Sequence, residues 1–193
     1  MKTEHFYPEL ARVYSDYPWL TFDRALNVAA RTLCTIGLVW RVDLDPVTYT
    51  EGERSVMLLP PTGTRIVQIT ETGGLQRMTE RQLAQMDGRW RTRTGVPTHF
   101  FWQVNDSLGL YPVPAEEQID AVTVRAAIAP TTESKTLSDD YAWDYERLLL
   151  DGAFAYLGRV EWRIYEQQCR EARSFAVDGA QIGTPRKVKY GGI

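Results

Sequence analysis

Apolar residues recur three and four apart near both ends of this 193-residue chain and alternate every second residue in between. The first period draws one stripe down a helix and the second draws one face on a strand, so the order is helix, strands, helices. Near the start, Phe22, Leu26, Ala29, Leu33 and Ile36 share a stripe across residues 16–37, with Pro18 suited to the first turn and Gly37 to the stop. Asp23, Arg24, Asn27 and Arg31 take the other side. Near the end, Ser138 can cap a helix whose first turn carries Asp139 and Asp140, the sign that the helix dipole favours. Tyr141, Tyr145, Leu148, Leu149, Ala153, Tyr156 and Leu157 continue as its stripe. After Gly158 a second helix carries Trp162, Tyr165, Cys169 and Ala172 towards residue 177.

The middle reads as short strands. Residues 56–59 and 65–70 flank the loop Pro60-Pro61-Thr62-Gly63, and Gly73-Gly74 turns into residues 75–78. Thr79 stands three residues before Gln82, a capping-box spacing that starts a short helix through Leu83 and Met86, ended by Asp87-Gly88. An aromatic strand spans residues 99–104, and Asn105-Asp106 turns it into residues 108–111. Pro112 and Pro114 then block further ladder pairing. In the last strand Val122, Val124, Ala126 and Ile128 share one face, opposite Thr123, Arg125 and Ala127.

Matching stripes separated by strands predict an α+β fold: one helical bundle carrying an inserted antiparallel β-rich subdomain. The expected division is a leader and first bundle helix at 1–41, the insertion at 42–130, and the C-terminal bundle helices at 131–177. Residues 178–193 are expected to be a flexible arm, because four glycines and a proline leave little apolar surface to bury. That arm carries Arg186, Lys187 and Lys189 against the single Asp178. A Trp162 enclosed in the bundle would make Trp162→Ala cost ~3–5 kcal/mol.

The same residues argue against a reaction centre. His5 and His99 are the two histidines, and neither has a Cys, Asp or Glu at metal-ligand spacing. Cys34 and Cys169 lie far apart on apolar helix faces and read as buried small hydrophobes. No nucleophile elbow, Walker loop or dinucleotide fingerprint is present. Of the carboxylate pairs, Asp139-Asp140 reads as a helix start and Glu116-Glu117 as a loop. Asp43 with Asp45 lacks the further oxygen ligands of a calcium loop. No metal, cofactor or catalytic residue is therefore expected. The net charge of −3 gives no basic footprint for nucleic acid. No apolar run nears the ~20 residues a membrane helix needs, and no secretory signal is legible at the start. Trp102, Trp143 and Trp162 could stack on a ligand, but their positions on strand and helix stripes favour core or subunit packing. Six Trp and ten Tyr are a large supply of the side chains that subunit interfaces favour.

The order of these elements resembles the head-to-tail adaptor proteins of tailed bacteriophages, the group that includes tail tubular protein A. The likeness is carried by Leu59-Pro60-Pro61 with Gly63, Gln68-Ile69-Thr70, Trp90, Gly95-Val96-Pro97 and Phe100-Phe101-Trp102. It continues through Leu110-Tyr111-Pro112-Val113-Pro114, Val122-Thr123-Val124, Pro130-Thr131 and Leu150-Asp151-Gly152-Ala153, so it spans roughly residues 14–177. Where the family often ends its long helix with Pro-Trp, this chain has Glu161-Trp162. The resemblance implies a structural virion protein, made in the host cytoplasm and assembled as a dodecameric ring at the head–tail junction. Its partners would be the portal protein, a tail nozzle or tail tube protein, and further copies of itself, with DNA passing through the lumen without specific binding. It also implies that the arm embraces the portal, with Arg186, Lys187, Lys189 and Tyr190 as the candidate contacts. The alternatives are another neck or tail-terminator ring protein, or a small-molecule-binding or enzymatic domain.

Overall fold

The computed structural model describes residues 1–103, 106–134 and 136–181, the stretch 175–181 by its backbone alone. Its architecture is α+β, and the chain divides into two compact units: Met1–Trp40 with Ile128–Ile193, and Arg41–Ala127.

In the helical unit, a 3-10 turn at Thr3–Phe6 leads into α1 (Tyr7–Val13), and α2 spans Trp19–Thr32. The polar leader expected before the first helix is thus itself helical. Phe6 and Leu10 are buried in it, a signal of two residues, too short to read as a period. The stripe of α2 buries Phe22, Ala25, Leu26, Ala29 and Ala30. The helix does not end as a plain α-helix at Gly37. It passes through one π turn, Leu33–Gly37, and closes on Leu38 in the left-handed region at φ 50°. Gly37 is needed for closeness: a Cβ there would stand 3.1 Å from the carbonyl oxygen of Cys169.

At the other end, Ser138 accepts a hydrogen bond from the Asp140 amide and opens α4 (Asp139–Ala142). The helix expected to continue breaks at residues 143–145 and resumes as α5 (Glu146–Tyr156). The break leaves Trp143 exposed, and Tyr156, expected in the stripe, is 37% exposed. α5 instead buries the consecutive Leu148, Leu149 and Leu150, because neighbours cover more than one of its faces. α2 and α6 (Trp162–Gln181) both pack on it. Gly152 makes that approach possible, since a Cβ there would lie 2.4 Å from Tyr165 Cζ and 2.7 Å from Ala29 Cβ. The Tyr165 hydroxyl donates to the Ala29 carbonyl at 2.7 Å, tying α6 to α2 inside the core. Trp162 is only half-buried, and Tyr165 is the enclosed ring. α6 continues past residue 177 to Gln181, so the first four residues of the expected arm are helical. Helix propagation adds a hydrogen bond per residue, and one glycine, Gly179, costs only ~1 kcal/mol against it.

The β-rich unit holds two larger sheets. β1 (Arg41–Tyr49), β9 (Gln118–Pro130) and β3 (Thr64–Thr72) form one, in the order β1-β9-β3. β2 (Ser55–Met57), β7 (Ser107–Tyr111), β6 (His99–Gln103) and β4 (Gln76–Arg77) form the other, in the order β2-β7-β6-β4. β1 with β9, β2 with β7 and β6 with β7 run antiparallel. Two short pairings are parallel instead: β4 with β6, and β5 (Thr94–Gly95) with β8 (Val113–Pro114). Pro114 therefore does not stop the ladder. The flanking amides carry it, Val113 N–H to Arg93 O at 2.9 Å and Ala115 N–H to Gly95 O at 3.2 Å. The Thr79–Gln82 capping box is present and opens α3 (Glu80–Met86).

Leu83 of α3 packs with Trp90, Phe101 and Tyr111 in a satellite core. Asp87 closes one side of it, accepting from the Arg89 amide at 2.8 Å, the Tyr111 hydroxyl at 3.0 Å and the Arg93 guanidinium at 3.2 Å. The Arg89 amide first, then Tyr111 and Arg93, hold its carboxyl below the usual carboxylate range. Phe101 stands directly opposite Gly109 across the β6–β7 pair. A Cβ on Gly109 would come within 2.3 Å of the Phe101 ring, so the ring lies flat over the missing side chain.

Candidate interaction surface

Several of the polar groups singled out from sequence make structural contacts. His5 Nε2 is 2.8 Å from the Glu146 carboxylate, and His99 Nδ1 is 2.8 Å from the Thr98 hydroxyl. Asp140 accepts from Ser138 Oγ at 2.7 Å and from Trp40 Nε1 at 3.1 Å, so it locks the helix start to the end of the π turn's exit. Asp43 pairs with Arg125 across the β1–β9 ladder at 3.5 Å, and Asp45, Glu116 and Glu117 are exposed. Among the described residues no three His, Cys, Asp or Glu converge as metal ligands. Cys34 and Cys169 are buried thiols; burial pushes both up, Cys169 to about 11, so they remain protonated and unreactive near neutral pH. No described helix is long and apolar enough to cross a membrane. Arg186, Lys187, Lys189 and Tyr190 lie outside the described residues.

What the structure does bring together is outward-facing apolar surface, and this sequence reasoning largely missed. In the helical unit it gathers at the α1–α2 junction. Trp19 is 57% exposed yet fixed, stacked on Tyr7 with ring centroids 5.0 Å apart and edge-on to Phe22. Tyr7 is itself anchored by its hydroxyl on Asp23. Tyr17 stacks on Tyr14 at 5.1 Å, and Tyr14 donates its hydroxyl to the Leu157 carbonyl at 3.2 Å. Leu20, 78% exposed, stands beside Trp19 in the first turn of α2. Rigid aromatic rings held outward lose little entropy when a partner covers them, which is the chemistry of interface hot spots. The signal legible in the sequence is the surplus of aromatic residues; which of them face outward is set by the packing of α2.

In the β-rich unit the exposed large apolar side chains among the described residues are Met57, Leu59, Met86, Val96 and Ile119, and they are spread over several segments. Met57 and Leu59 are 69% and 72% exposed while Leu58 between them is buried, an alternation with its apolar side turned out. A groove of about 430 Å³ lies along Gln68–Thr72 of β3, with Leu75, Arg77 and Phe100 completing its wall.

Aromatic side chains held outward by stacking, as at Tyr17 and Trp19, are a feature of protein-binding surfaces. The family match agrees: the chain belongs to the SU10 adaptor protein family, whose sequence profile it matches over residues 7–181. The comparison with curated proteins returned no match. At the level of an adaptor protein, the likeness read from the sequence and the family match coincide.

Proposed function

We propose that this protein is a subunit of the head-to-tail adaptor ring of a tailed bacteriophage, set between the portal and the tail and continuing the DNA channel. The family match over residues 7–181 carries this reading. The fixed aromatic surface at Tyr17, Trp19 and Leu20 supports it, because a ring subunit has to meet its neighbours on large dry contacts. In this reading the protein is not an enzyme, and the β-rich insertion serves ring contacts. The C-terminal segment docks on the portal through Arg186, Lys187, Lys189 and Tyr190, and a tail nozzle or tube protein binds the opposite side of the ring. An acidic chain with net charge −3 suits a collar through which DNA slides without sticking.

The portal contact has a direct test. Because α6 runs to Gln181, the truncation belongs after that residue, deleting 182–193 and sparing the helix. The shortened chain should keep its melting temperature and lose at least tenfold in portal binding, read by co-sedimentation with portal rings. Unchanged binding would remove the arm from the account.

A further inference from the structure

We draw no further inference here: the strongest candidate, the outward-facing apolar patch of Tyr17, Trp19 and Leu20 at the α1–α2 junction, carries none because nothing in the structure shows what covers it.

Discussion

Tyr165→Ala should be the most damaging single truncation in the helical unit. The ring is wholly enclosed and its hydroxyl donates to the Ala29 carbonyl at 2.7 Å. Burial raises the hydroxyl's pKa, so it stays a donor across the accessible pH range. Emptying a site filled by a large aromatic costs about 3–5 kcal/mol, which in a chain of this size lowers the melting temperature by on the order of 10 °C. Tyr165→Phe keeps the volume and loses only the hydrogen bond, so it should cost about 0.5–1.5 kcal/mol. A thermal melt of both variants checks the pair. Equal, small losses would mean that α6 is not clamped to α2 through this ring.

Gly109→Val should be the corresponding lesion in the β-rich unit. Valine favours strands by up to ~1 kcal/mol over the most depleted residues, so propensity alone predicts a gain. Packing predicts the opposite sign. The new side chain would occupy the place of the Phe101 ring, which already contacts Trp90 edge-on at 5.5 Å between centroids. Overpacking of this kind costs about 1–3 kcal/mol or more, and here the displaced ring is the centre of the cluster with Leu83 and Tyr111. Denaturant melts should show the loss, with near-UV circular dichroism reporting a changed aromatic environment. A stabilised variant would contradict the described fit of Phe101 on Gly109.

Both sites illustrate what a sequence displays and what it hides. The periods of Phe22–Ala29 and Val122–Ile128, the Ser138 cap and the Thr79–Gln82 box are local patterns, and each is found where its residues stand. Gly109 and Gly152 read as weak points of a strand and a helix. Their role is to admit Phe101 and Tyr165, partners that only the fold brings near. The π turn at Leu33–Gly37, the break at Trp143 and the parallel pairings of β4 and β5 likewise depend on neighbours distant in sequence. The interaction surface was legible in kind, as a surplus of aromatic residues, but not in place. Exposure of Trp19 and Leu20 follows from which side of α2 meets α5, and the sequence period marks only the side that is covered.

Electron microscopy of the chain mixed with portal rings from its own phage bears most directly on the adaptor assignment. A closed, dodecameric collar coaxial with the portal channel is the predicted image, even if the chain alone stays monomeric. Bare portal particles at saturating concentrations of folded chain would contradict it.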